Sequence, residues 1–353
     1  MIVTSSKLIE LQHLLDDAVA SGLECGCQLA IYEHGELVAD LVAGTIAPGG
    51  CPVASDTLFP VFSCGKGVAT TAVHRLIEKG ILTYSTRVAD VWPEFGCHGK
   101  ENILLWHVMA HRTGLHQTPD VASADEIADW KVMCGKIADM TPVWTPGTKC
   151  GYQGITFAWL LGETASRADG RSFQDILMDE VIRPLELETE MFFGTTEQAD
   201  GRIAAIDESR AKIGQLGAWV STPSVRHSCI PSFAGMMSAR ALAKHYAALD
   251  GLSDGLRLLR PETVENAAIM RRAADDLPGN TWARFGLGYV TVAGEGIPSG
   301  IIGHGGALGS EGMLDRRKHL ALAFTKNRVD PRHPDHPLRN AISSVLGLTV
   351  RRW

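Results

Sequence analysis

The sequence predicts an α+β fold: an α/β domain assembled from both ends of the chain, residues 1–85 and 285–353, with a mainly helical domain, 86–284, inserted between them. Three observations predict it. Short, partly alternating apolar runs sit near the start and again near the end. Between them the apolar spacing lengthens to that of helices, and one amphipathic helix opens the chain while another closes it. The cleft between two such domains is the natural place for a ligand.

The opening stretch, "MIVTSSKLIELQHLLDDAVASG", puts Leu8, Leu11, Leu14, Leu15 and Val19 on one side of a helix. It carries acidic residues where a signal peptide has an uncharged apolar segment, so a cytoplasmic location is expected. "CQLAIYE" (27–33) and "LVADLVAG" (37–44) read as strands, with His34-Gly35 as the hairpin turn. A Gly/Pro-rich loop, 44–54, leads to "LFPVFSCGKGVATTAVHRLIEKG" (58–80). There Val68, Thr71, Ala72, His74 and Leu76 suggest a buried helix ended by Gly80. Helical periods follow in "NILLWHVMAH" (102–111), "TFAWLLGETASRA" (156–168), "SFQDILMDEVI" (172–182) and "SARALAKHYAALDGL" (238–252). Strands return in "FGLGYVTVA" (285–293), "GIIGHGGALG" (300–309) and "LALAFTKN" (320–327), before a last helix over 336–346.

Composition narrows the partners. The 353 residues carry a formal charge of −7 and form no basic footprint for nucleic acid. No apolar run reaches the roughly 18 residues of a membrane span. The eight cysteines are scattered, without C-x-x-C, and read as free thiols.

Ser63 and Lys66 stand three apart where the 58–80 helix begins, so both fall on one helical face. A serine hydroxyl attacks a carbonyl only when a partner takes its proton. A lysine with a pKa lowered by burial or nearby positive charge can do so. The helix's first turn offers unpaired N–H groups to a developing oxyanion. Spacing alone does not decide between a nucleophile and a helix cap. Ser209 and Lys212 share it inside the polar "AIDESRAKIGQ", a solvated segment. Ser63 instead follows the apolar "LFPVF", and Gly65 and Gly67 permit close approach by a substrate or another backbone. Tyr152, in "WTPGTKCGYQGI" (144–155), stands just before a helix as either a packed ring or a proton relay. "IIGHGGALGSEG" (301–312) runs an apolar strand into His304-Gly305-Gly306, whose N–H groups suit a second oxyanion donor.

Ser63-Cys64-Gly65-Lys66, Pro146-Gly147 with Tyr152, and Gly303-His304-Gly305-Gly306, in this order, resemble the serine beta-lactamase and penicillin-binding-protein superfamily. Within it the chain is most similar to the class C-like carboxylesterases, the family VIII esterases. "LLWHVMAHRTGL" (104–115), "DGRSFQDILMDEVIRPLEL" (169–187) and "LALAFTKNRV" (320–329) support the resemblance, which covers nearly the whole chain. It implies an α/β sandwich with an antiparallel sheet flanked by helices, and an active site in the cleft beside the inserted domain. It also implies Ser63 as acylated nucleophile, Lys66 as its base and Tyr152 as proton-transfer partner, without settling which of the last two takes the serine proton. The N–H groups of Ser63 and Ala307 would form the oxyanion hole, and His304, Gly305, Gly306 and Gly154 would line the substrate. Penicillin-recognising members carry Lys-Thr-Gly on that strand and Asn two residues after the tyrosine. This chain has His304-Gly305-Gly306 and Gly154. Hydrolysis of small-molecule esters or lactones is therefore expected ahead of amidase, D-amino-acid peptidase, acyltransferase or beta-lactamase activity. A catalytically silent binding protein of the same fold is a further alternative.

No cofactor or metal is expected. His107 and His111 have i, i+4 spacing, but Val108 replaces the glutamate of H-E-x-x-H and no third ligand suggests itself. "DPRHPDHP" (330–337) reads as a solvated loop, Cys64 as packed and Cys97-His98 as incidental. G-x-S-x-G is absent.

Overall fold

The structure is a computed structural model that describes residues 2–251, 255–271, 284–292, 298–332 and 335–349. Among the described residues nine strands run, in chain order, as β1 (Gly26–Glu33), β2 (Glu36–Gly44), β3 (Phe59–Pro60), β4 (Met191–Phe192), β5 (Met236–Met237), β6 (Val290–Thr291), β7 (Ile301–Gly305), β8 (Glu311–Asp315) and β9 (Leu320–Lys326). Six form an antiparallel sheet in the order β2-β1-β9-β8-β7-β6, and the remaining three pair as β3-β5-β4. The two chain ends meet in the large sheet, where β1 pairs with β9 from Cys27↔Lys326 to Glu33↔Leu320.

Strand periodicity divides the core in two. Cys27, Leu29 and Ile31 of β1, with Leu320, Leu322 and Phe324 of β9, join Leu11, Leu15, Leu338 and Ile342 in one cluster. The alternate residues Ala30, Tyr32, Ala321 and Ala323 face the other way, into a cluster with Val68, Ala72, Leu242 and Tyr246. β1 is therefore buried along its whole length. The first cluster lies under helix α1 (Ser5–Ala20), capped by the Thr4 side chain, and the closing helix Pro337–Val345. On the opposite face the helix Ala239–Leu249 packs on β1, β8 and β9, although it comes from the middle of the chain. Tyr246 and Leu242 of that helix press directly on Gly312 of β8, where a Cβ would come within 2.5 Å.

Helix α2 (Cys64–Glu78) ends at Gly80, at φ +76°, as its sequence suggested. It runs between β7 and the long helix Phe157–Asp169. The small sheet aims it, because β3 delivers the chain through Val61 and Phe62 into Ser63.

Several sequence expectations are corrected. The strand over 285–293 shortens to Val290–Thr291, since Gly288, at φ +86°, turns the chain first; Ala293 lies outside the described residues. The helix of 102–111 shrinks to Leu105–Met109. β8 and the β3-β5-β4 sheet had no sequence signal. The loop 330–337 is not solvated throughout. His336 is buried with its Nε2 2.8 Å from Glu24 Oε1, which also pairs at 2.8 Å with the buried Lys326. His333 and Pro334 of that loop lie outside the described residues. All eight cysteines are free. Among the described residues no helix is long and apolar enough to cross a membrane.

Candidate active site

The approach to Ser63 is bent backbone. Phe62, fully buried, sits at φ +50°, a left-handed conformation that costs a bulky residue about 1–3 kcal/mol. The kink turns the chain from β3 into α2 and leaves Ser63 half-buried at the helix cap. Its side chain makes no capping bond there. Lys66, one turn on, is completely buried with Nζ 2.9 Å from Ser63 Oγ, and it donates to the Ser232 carbonyl at 2.6 Å. Gly65 makes this possible, because a Cβ there would come within 2.6 Å of the Pro231 carbonyl. At Gly67 a Cβ would meet the Tyr246 hydroxyl at 2.4 Å. The glycines flanking Lys66 thus admit protein neighbours rather than substrate.

Tyr152 reaches the same serine. Its phenol hydrogen-bonds Ser63, and Lys66 Nζ lies 5.1 Å from its ring centre. His111 holds its loop by accepting the Gln153 N–H at Nδ1, 3.1 Å, with its ring centre 4.9 Å from that of Tyr152. Gln153 turns inward to accept from Thr113. Gly154 lies beside the Tyr152 ring.

From the far end of the chain comes the turn between β7 and β8. Gly306 rests against Val61, where a Cβ would approach the carbonyl oxygen to 2.3 Å, and Ala307 is exposed next to it. Among the described residues neither Ser63 nor Ala307 donates its N–H to a backbone carbonyl. Gly305 is half-exposed, whereas the His304 side chain is buried. Its Nδ1 lies 2.8 Å from the Gly305 carbonyl and must carry the proton, so the ring turns away from open solvent.

The electrostatics follow from burial. Burial holds the Lys66 amine well below the usual lysine range, with no salt bridge to it among the described residues. Burial pushes the Tyr152 phenol up, against the lowering effect of its bond to Ser63. Burial, then the neighbouring Lys66 charge, takes His304 down to about 3. The same two causes, with His304 added, depress His111. Tyr152, His111 and His304 are held in their neutral forms at pH 7, and burial shifts Lys66 toward its neutral form. An uncharged amine 2.9 Å from a hydroxyl can accept its proton, and a protonated phenol can pass one on.

Other sequence candidates fall elsewhere. Cys64 packs around the helix, donating its S–H to the His304 and Ser310 carbonyls. His107 accepts the Leu104 N–H, and His98 meets Asp139 at 3.3 Å. No three His, Cys, Asp or Glu side chains stand together as metal ligands among the described residues. Lys212 pairs with Glu208 at 3.2 Å on the surface, so the second S-x-x-K stays a solvated segment. Two contributors carried no sequence signal for this role: Ser232, in a loop without periodicity, and His111, which looked like half of an incomplete zinc motif.

Comparison with known proteins gives the family and the fold. The beta-lactamase family model matches residues 11–346. The esterase/beta-lactamase LipL of Mycobacterium tuberculosis is 29% identical over 340 residues, covering 86% of this chain and 77% of its own. The crystal structure of a family VIII carboxylesterase superposes with a TM-score of 0.86 at 23% identity, covering 98% of both chains. A penicillin-binding-protein homologue from Caulobacter crescentus superposes at 0.79 with 28% identity and 93% of each chain.

Proposed function

The chain belongs to the beta-lactamase family, and on that premise we propose that it is a serine hydrolase acting on small carboxylic esters or lactones through an acyl-enzyme. The observation that carries this reading is the joint hold of Lys66 and Tyr152 on the Ser63 hydroxyl. Lys66 takes the Ser63 proton while Oγ bonds to the ester carbonyl carbon, and the oxyanion is received by the N–H groups of Ser63 and Ala307. As the carbon–oxygen bond to the alcohol breaks, the proton returns through Tyr152 to the departing oxygen. Water repeats the sequence on the acyl-enzyme and releases the acid with Ser63 restored.

Lys66 is the better acceptor of the two, since burial favours its neutral form and favours the protonated form of Tyr152. The substrate side is read as uncharged. His304 occupies the strand position where penicillin-recognising members carry a lysine, and it is buried and neutral. The site thus offers no cation there for a substrate carboxylate.

Labelling with a fluorophosphonate and with activated esters, followed by peptide mass analysis, tests the reading. A single adduct on Ser63, absent in Ser63→Ala along with turnover, is expected. Full ester turnover by Ser63→Ala would falsify it.

A further inference from the structure

Ser232 joins the two halves of the proton path. Its carbonyl accepts from Lys66 Nζ at 2.6 Å and stands 3.4 Å from Ser63 Oγ. Its hydroxyl donates to the Ile155 carbonyl at 2.8 Å and accepts the Ala158 N–H at 2.7 Å. Ile155 lies three residues after Tyr152 and Ala158 six, at the entry to the helix Phe157–Asp169. That helix lacks a cap of its own, since Thr156 makes no side-chain bond there. Ser232 supplies one from a remote segment, satisfying an N–H that the first helical turn leaves open. The residue is fully buried, and Gly65 has no side chain to hold Pro231 and Ser232 off.

We infer that Ser232 is a positioning residue: its hydroxyl locks the loop to the Tyr152 helix so that its carbonyl directs the Lys66 amine at Ser63. The inference rests on reading Lys66 as the proton acceptor. A neutral amine has two hydrogens and one lone pair. With one hydrogen held by the Ser232 carbonyl, the lone pair is left free to face the Ser63 hydroxyl. When the proton arrives, the same carbonyl dipole already points at the new ammonium and needs no reorganisation. The carbonyl thereby raises the proton affinity of an amine that burial depresses. The tie through Ile155 and Ala158 keeps Lys66 and Tyr152 in register on one hydroxyl.

Ser232→Ala removes the tie and leaves the chain otherwise intact. It is expected to lower kcat for an ester about 10- to 100-fold at unchanged KM, the scale of a small misplacement of reacting groups. The acid limb of its pH–rate profile is expected to move to lower pH, because the loosened carbonyl no longer favours the ammonium. An acid limb that stays in place or moves to higher pH overturns the inference, whatever the rate. Should Ser232→Ala fail to fold, Ser232→Cys, with longer and weaker hydrogen bonds, carries the same test. Fluorophosphonate labelling of the wild type separates the two levels. Absence of label on Ser63 overturns both this inference and the proposed function, whereas label on Ser63 with an unmoved limb overturns this one alone.

Discussion

Lys66 Nζ lies 5.1 Å from the centre of the Tyr152 ring, and both side chains reach the one hydroxyl of Ser63. One comes from the first turn of α2 and the other from a loop nearly ninety residues later. Burial lowers the pKa of the amine and raises that of the phenol, which suits the pair to accepting a proton and donating one.

A pH profile follows from the signs. The proposed mechanism requires neutral Lys66, whose folded pKa lies well below that of free lysine, and protonated Tyr152, whose folded pKa lies above that of free tyrosine. kcat/KM is expected to rise through the depressed lysine pKa, hold level, and fall only at strongly alkaline pH. Stopped-flow measurement with an ester of a non-titrating alcohol checks it. A rate still climbing at pH 10, the range of an ordinary lysine, would remove Lys66 from the role of acceptor.

Tyr152→Phe separates the hydroxyl from the ring. The ring stacks against Phe285 at 5.7 Å between centroids and packs on His111, and phenylalanine keeps both contacts. The melting temperature is expected to stay put while kcat drops about 10²–10⁴-fold, the usual yield of a positioned proton donor. Retained activity would show that Lys66 alone carries the proton both ways.

Gly306→Ala tests the turn beside the nucleophile. Its Cβ would meet the Val61 carbonyl at 2.3 Å and the Phe62 side chain at 3.4 Å, so the turn must back away and take the Ala307 N–H with it. Losing one oxyanion donor costs about 10²–10³ in kcat, and the overpacking about 1–3 kcal/mol of stability. Wild-type turnover in this variant would place the oxyanion elsewhere.

Acid should unfold the protein early. His74 and His107 are brought down to about 4, and His245 and His304 to about 3, in each case chiefly by burial. A base with a depressed folded pKa is neutral in both states above about pH 6.5 and costs nothing there. Below that the unfolded chain binds the proton and the folded chain does not. Stability is therefore lost as pH falls from about 6.5 toward 3–4, at up to about 1.4 kcal/mol per pH unit for each such histidine. Urea titrations at pH 7.5 and pH 5 are expected to differ by several kcal/mol. Equal midpoints would mean that these rings are not buried as described.

The sequence announced the parts whose chemistry is local. β1, β2, β9, α1 and α2 carry clear apolar periods and turn residues. The Ser63, Lys66 and Tyr152 neighbourhoods stand out by an apolar approach, by spacing and by a loop-to-helix junction. β8 was hidden because Glu311 and Asp315 bracket it, and charged residues rarely sit in a buried strand. Ser232 was hidden because its function rests on a backbone carbonyl, which every residue possesses. The positive φ of Phe62 could not be read either, since side-chain identity argues against it. The glycines around Lys66 drew attention for a sound reason, close approach, but the approaching groups are Pro231 and Tyr246.

The pairing of β1 with β9 also bears on how the molecule comes into being. The Gly26 N–H donates to the side-chain oxygen of Asn327, 301 positions away in sequence, at the end where β1 begins its pairing with β9. Such distant partners make for slow folding. During synthesis β1 and β2 emerge early as a lone hairpin, too small to be stable by itself. Until β9 arrives, one edge of β1 stays open to pairing with a neighbouring chain. The strand β7, which leads into the Gly306 turn, is likewise seated between β6 and β8, and thus in the same late-closing sheet. Hydrolytic competence should appear on the ribosome only after Lys326 has cleared the exit tunnel, so a stalled or shortened product would be inert rather than partially active.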